Sequence, residues 1–248
     1  MSAAHGPGRL EAGQVRAMFE RIAGSYDLLN TVMTAGLHHR WRARAADLAR
    51  VGSGSRVLDV ATGTGDLAIE LARRVSPGGE VVGSDFAEGM LARARAKASA
   101  VDGLHVQPLF EWGDALDLPY ADGYFDAVTV GFGARNFADL PRGLAEMARV
   151  VRPGGRVVIL EITTPTELPL SLFYRLWFDC AVPALGRLAG NSDAYSYLPS
   201  SVRRFPAPAE LAAEMERAGL REIGWVLTAG GIIAIHAGTV PQSRQRQR

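Results

Sequence analysis

Apolar positions along this chain alternate between two spacings. Residues 56–60, 80–85, 104–110, 125–130 and 156–162 are short, nearly continuous runs of valine, leucine, isoleucine and phenylalanine. Such runs suit strands buried on both faces of a parallel sheet. Between them, residues 67–75, 90–100 and 140–151 carry apolar side chains at helical spacing, as do 15–23 and 37–51 ahead of the first strand. Ser76-Pro77-Gly78-Gly79 and Arg152-Pro153-Gly154-Gly155 read as turns. Beyond an irregular stretch, a helix over 209–218 stops at Gly219 and strands over 221–228 and 230–237 close the pattern. The last two strands are too close together for a parallel crossover, so they form an antiparallel hairpin. The prediction is an α/β fold: a doubly wound, mostly parallel seven-stranded sheet whose last strand is reversed.

At 248 residues with 48% hydrophobic content, the chain suits a single domain over 11–240. Residues 11–51 form a helical lid in this reading, and 164–206 an insertion on the substrate side. Residues 1–10 and the basic tail 241–248 lack apolar patterning and read as disordered ends. A net charge of +1 provides no field for nucleic acid. Arginine supplies nearly all the positive charge, because Lys97 is the sole lysine. Cys180 stands alone, which excludes an internal disulfide and a cysteine-based zinc site; no metal site is expected. The first residues lack a signal-peptide pattern, and 168–188 carries Arg175, Asp179, Arg187 and two prolines, unlike a membrane span. A cytoplasmic protein is expected.

The chemistry concentrates at Asp59-Val60-Ala61-Thr62-Gly63-Thr64-Gly65-Asp66, a strand running through a glycine turn into a helix. Gly63 and Gly65 permit a sharp bend and close approach of a ligand. Gly63-x-Gly65-x-x-Ala68, with Asp85 ending the second strand, also fits a dinucleotide fingerprint, so a nicotinamide enzyme is one reading. Asp59 and Asp66 argue against it: they would repel a pyrophosphate and attract an ammonium or sulfonium. S-adenosylmethionine (SAM) is such a ligand. Asp85, followed by Phe86, is placed to accept from both ribose hydroxyls, or to cap the next helix. Asp114 and the Ala115 N–H can read adenine, or form a solvent-facing turn.

With these elements in order, the chain resembles a class I SAM-dependent methyltransferase, with its Rossmann-like sheet. Residues 26–41 (YDLLNTVMTAGLHHRW) and 149–161 (RVVRPGGRVVILE) are similar to the paired signatures of the ubiquinone/menaquinone biosynthesis C-methyltransferases. Phe132 to Asn136, Tyr195 to Pro199, and Leu227 to Gly231 with His236 match the same pattern. The resemblance spans about 15–240 and implies SAM contacts at Thr62, Asp85, Asp114 and Ala115. Gly131 stands where the family often has serine, and Asp114 where it often has asparagine.

The resemblance implies methylation of a ring carbon of a prenylated quinol. The arginine-rich composition resembles that of relatives making menaquinone, favouring demethylmenaquinol over the benzoquinol precursor of ubiquinone. Arg135 would stabilise a phenolate-like oxygen and Asn136 orient it, or the pair would be a structural clamp and a helix cap. His236 is the candidate base, or a satisfied core histidine. Tyr26, Asn30 and His38 would face substrate from the lid, and Tyr195 and Tyr197 would line its pocket. Residues 168–188 would receive the prenyl tail or touch the membrane surface, or else form a buried insertion or a homodimer contact.

Overall fold

The computed structural model describes residues 12–165, 168 and 192–242. Strand β1 (Arg56–Val60) is buried from Val57 onward, and burial on both faces puts it in the interior of the sheet. Beside it lie β2 (Glu80–Asp85), β3 (Leu109–Trp112), β4 (Phe125–Gly131), β5 (Val151–Ile162), β6 (Arg221–Thr228) and β7 (Ile233–Thr239). The order is β3-β2-β1-β4-β5-β7-β6. The first five strands are mutually parallel, and β7 runs antiparallel between β5 and β6. The expected reversal of the last strand is thus present.

Side-chain alternation along β1 sends Val57 to one face and Leu58 to the other. Val57 packs with α3 (Leu37–Leu48), α4 (Asp66–Val75) and α5 (Glu88–Ser99). Leu58 packs with α6 (Leu140–Arg149) and α8 (Pro208–Arg217). These five helices turn apolar residues inward; on α4 they are Leu67, Ala68, Ile69, Leu71, Ala72 and Val75. The Asp139 side chain caps α6 by accepting from the Arg142 N–H at 3.0 Å. Helix α1 (Ala12–Ile22) packs on α5 and on α7 (Ser192–Arg204), while α2 (Tyr26–Thr34) packs on α3.

Several elements depart from the sequence pattern. Pairing of β3 begins at Leu109, directly after Pro108, which has no N–H for the ladder. Arg152-Pro153-Gly154-Gly155 is an irregularity inside a longer β5: pairing jumps from Phe125 with Val151 to Ala127 with Arg156. The β6–β7 link is a short 3₁₀ turn with left-handed φ at Ala229, Gly230 and Gly231. Helix α2 falls inside the expected helical lid over 11–51 but has no helical spacing of its own in the sequence, and α7 was not expected. Helix α2 has no buried residue and no side-chain cap, and α7 contains Pro199, which ordinarily breaks a helical reading. The proposed tail-binding stretch 168–188 lies outside the described residues, apart from exposed Leu168.

At the start of α4, Gly65 adopts φ +82, and a Cβ there would sit 2.8 Å from Phe110 Cζ and 2.9 Å from Ala94 Cβ. Left-handed strain of about 1–2 kcal/mol adds to overpacking of about 1–3 kcal/mol. Gly65→Ala is therefore expected to destabilise the fold by roughly 2–5 kcal/mol in urea unfolding. A loss below about 0.5 kcal/mol, the usual scale of neutral surface changes, would contradict this packing.

Candidate active site

Strand order reverses between β1 and β4, which opens a crevice beyond their carboxyl ends. A cavity of about 300 Å³ fills it, lined by the ends of β1, β2 and β4, the glycine turn, the segment from Trp112 to Leu116, and α1 residues including Arg16 and Phe19. Left-handed backbone recurs around the turn, at Ala61 (φ 50), Gly63 (φ 56) and Gly65 (φ 82), and again at Phe132 (φ 61) after β4. Ala61 and Phe132 are strained without being glycines, and both line the cavity. Gly133 leaves room for the first of them: a Cβ there would lie 2.6 Å from Ala61 Cβ.

Two buried carboxylates hold the turn. Asp59 accepts from Thr62 Oγ1 and Thr129 Oγ1, each at 2.6 Å. Burial raises its pKa from 3.8 to about 6, with the threonine bonds and Arg42 opposing and Asp85 adding to the rise. Asp85 Oδ2 accepts from the Gly63 N–H at 2.8 Å, and its Oδ1 from the Ala87 N–H at 2.9 Å. Its two oxygens are divided between the turn and its own helix start, and acceptor capacity remains for a further donor. Burial raises this carboxyl as well, against the amides of Ala87, Gly63 and Phe86. Phe86, Ala115 and Gly131 line the same cavity. Asp114, also lining it, folds one oxygen back onto the Leu116 N–H at 2.9 Å.

Asp66 does not present the free charge expected of it. Lys97 Nζ lies 2.7 Å from Asp66 Oδ1, and Arg42 Nη1 lies 3.4 Å from Oδ2. Burial alone would raise the Asp66 carboxyl, but Arg42 and Lys97 outweigh it and hold the group below its ordinary value. The attraction for a cation therefore falls to Asp59. Lys97 also contacts Asp27 Oδ2 at 2.6 Å and donates to Thr64 Oγ1 at 3.0 Å, while Thr64 Oγ1 donates to Asp27 Oδ1 at 2.6 Å. The sole lysine thereby joins α2, the glycine turn and α5. Arg42 went unnoticed in the sequence. It lines the cavity, sits over the Phe132 ring and bonds His38 one turn earlier on α3. That (i, i+4) spacing was the available signal.

The other expected site residues divide. Tyr26 and Asn136 line the cavity. Arg135 stands behind its wall as a clamp: Nη1 donates to both Glu161 oxygens, at 3.1 and 2.9 Å, and to the Phe132 carbonyl at 2.5 Å. Arg135 Nε and Asn136 Oδ1 are nevertheless buried without partners. His236 is corrected from candidate base to core residue. It is buried on β7, its Nε2 bonds the Pro208 carbonyl at 2.9 Å, its ring stacks on Trp225, and it is absent from the cavity lining. His38 is also behind the wall, bonded through Nε2 to Thr31 at 3.2 Å and through Nδ1 to Arg42. Burial first, and Arg42 second, push its pKa down to about 4. Asn30 and Tyr197 lie off the cavity, Tyr197 under Arg204; the Tyr195 side chain is outside the described set. His38, His39 and Asp66 could supply three metal ligand atoms within 4.8 Å of one another. His38 and Asp66 are already engaged by Arg42, Thr31 and Lys97.

The profile of the ubiE/COQ5 methyltransferase family matches residues 8–240. The chain belongs to the ubiE/COQ5 methyltransferase family. Among its relatives is the demethylmenaquinone methyltransferase of Thermus thermophilus, 52% identical over 225 residues, covering 90% of this chain and 100% of the relative. The enzyme of the same name from Deinococcus radiodurans is 52% identical over 217 residues, covering 87% of this chain and 88% of its own length. A ubiquinone/menaquinone biosynthesis C-methyltransferase from Geobacter sulfurreducens is 41% identical over 225 residues, covering 91% and 88%. Solved structures show the fold. The [4+2]-cyclase SpnF superposes at TM-score 0.68 with 18% identity, covering 96% of this chain and 100% of that one. A SAM-dependent methyltransferase from Aquifex aeolicus superposes at 0.55 with 17% identity, covering 94% and 100%.

SAM is the methyl donor of the ubiE/COQ5 family, and the cavity's polar groups fit it. Asp85, Asp59, Arg16 and Arg42 all line it: Asp85 would take the ribose hydroxyls, Asp59 the cationic end, and Arg16 and Arg42 the carboxylate end. This arrangement makes SAM affinity depend on pH. The folded protein holds the Asp59 proton more tightly than the unfolded chain does, so this group lowers stability as pH rises from 3.8 to about 6. A cationic ligand prefers the ionised form. The SAM Kd measured by calorimetry is therefore expected to weaken below pH 6, approaching about tenfold per pH unit. Asp59→Asn should flatten that profile; equal profiles for the two proteins between pH 7 and 5 would contradict the assignment.

Proposed function

We propose that this chain methylates a ring carbon of demethylmenaquinol, giving menaquinol. The observation that carries the reading is the 52% identity to the Thermus demethylmenaquinone methyltransferase along all of that relative's length. Fold alone would not carry it, since the SpnF neighbour shares the fold under the name of a cyclase.

When bound, SAM supplies an electrophilic methyl group on a sulfonium. The protein's task is to raise electron density on the ring carbon and to keep water out. Asn136 Oδ1, buried and unpartnered on the cavity wall, is an acceptor for a ring hydroxyl. Arg135, held behind the wall by Glu161 and the Phe132 carbonyl, fixes the 3₁₀ turn that presents Asn136. Phe19, Leu116, Phe132 and Phe137 supply apolar lining for the ring, and alignment in a dry site contributes much of the acceleration. A prenylated substrate resides in a bilayer, so the encounter takes place at its surface. No helix among the described residues is long and apolar enough to cross a membrane.

The test is incubation of purified protein with SAM and chemically reduced demethylmenaquinone, with methylated product followed by mass spectrometry. Turnover is expected, and Asn136→Ala should lower kcat by about 10²-fold while leaving the SAM Kd nearly unchanged. Absence of product from protein that binds SAM would overturn the substrate assignment. Full kcat in the variant would remove Asn136 from the mechanism.

A further inference from the structure

A second cavity, of about 550 Å³, opens at the opposite, amino-terminal end of the parallel strands. Its charged lining is Arg50 after α3, Asp126 on β4, Arg152 and Arg156 on β5, and Arg221 and Glu222 at the start of β6. Four guanidiniums thus face two carboxylates, in a chain whose overall charge is only +1.

The partners are unevenly distributed. Arg152 Nε donates to Asp126 Oδ1 at 2.6 Å, and Asp126 Oδ2 accepts from the Arg56 N–H at 2.7 Å. Arg221 Nη1 donates to the carbonyls of Glu216 at 3.1 Å and Leu220 at 2.8 Å. Thr239 Oγ1 donates to Glu222 Oε2 at 3.3 Å. Arg50 and Arg156 form no ion pair with any described residue, and Arg156 Nε is buried without any hydrogen-bond partner. Burial first, then repulsion from Arg50, pushes the Arg156 pKa below its ordinary value, with Glu222 only partly opposing. Two like charges that lack an anion destabilise a fold unless something fills the gap.

The backbone adds an independent observation. Arg50 (φ 52) and Glu222 (φ 51) both occupy the left-handed region, at about 1–2 kcal/mol each. Glycine would sit there without strain, yet charged side chains face the cavity at both positions. Strain of this kind collects where a site is being shaped.

We propose that this cavity binds a phosphate-class oxyanion, held by the guanidiniums of Arg50 and Arg156. Planar guanidinium forks match phosphate oxygens, and a net lining charge of +2 from the residues named suits a dianion. The site lies at the far end of the strands from the SAM cavity and shares no lining residue with it. The anion is either free phosphate or diphosphate, or the headgroup of an anionic phospholipid; guanidinium recognition is common to both.

Calorimetric titration of the full-length protein with inorganic phosphate and with pyrophosphate, against chloride at equal ionic strength, examines the free anion. Co-sedimentation with phosphatidylglycerol vesicles, against phosphatidylcholine, examines the headgroup. The variants are Arg156→Gln and Arg50→Gly; the second removes the charge while relieving the left-handed strain, so it retains the fold. Arg44→Gln, on an exposed position of α3 outside the cavity, is the control. Binding in at least one arm is expected, weakened roughly tenfold or more in both variants and unchanged in the control. Which arm responds identifies the source. No binding by the parent protein in either arm, or binding equal in parent and both variants, would overturn the proposal.

Discussion

A carboxylate buried at the carboxyl end of β1, between the hydroxyls of Thr62 and Thr129, is the constraint on which the site depends. Placing a carboxylate indoors costs several kcal/mol. Two hydroxyl donors offset part of that, and the remainder is visible in an Asp59 pKa near 6. The two donors come from different elements: Thr62 from the glycine turn and Thr129 from β4. One side chain therefore binds the turn to both strands that border the crevice. A cation entering there completes what the protein leaves unsatisfied.

The surrounding acids have other duties. Asp85 fastens Gly63 and the start of α5 at once, which sets the distance between the turn and the end of β2. Asp66 is neutralised by Arg42 and Lys97. Lys97 extends that contact to Asp27 on α2, so α2 is tied electrostatically to the glycine turn and α5. Such a partly exposed pair contributes little to global stability. Its effect is local: it fixes where α2 meets the turn. The charged residues around the cavity thus form two sets, one holding the backbone and one facing the cavity, with Asp59 in both.

Much of the architecture was legible because it rests on local patterning. The bounds of β1 and β2 follow directly from their apolar runs, and the antiparallel finish follows from a short connection. Elements without such a signal were missed. Exposed α2 has no buried stripe, α7 carries a proline, and Pro108 delays β3. At the site, carboxylates at strand ends could be placed from topology alone, hence Asp59 and Asp85. Their partners could not, because pairing depends on side chains brought together across the sheet. Asp66 looked free until Lys97, 31 residues later, closed on it. Arg135 and His236 were both candidates for catalysis, but Glu161 holds the first behind the wall and Pro208 and Trp225 enclose the second.

The state of the central carboxylate is directly measurable. Carbon-13 NMR of protein labelled at aspartate side-chain carboxyls, with Asp59→Asn to assign the resonance, reads its titration without and with SAM. A midpoint near 6 in the free protein, moving to lower pH when SAM is added, is the expected result. A midpoint near 3.8 in the free protein, or one that SAM leaves unmoved, would contradict a buried carboxylate poised for a cationic ligand.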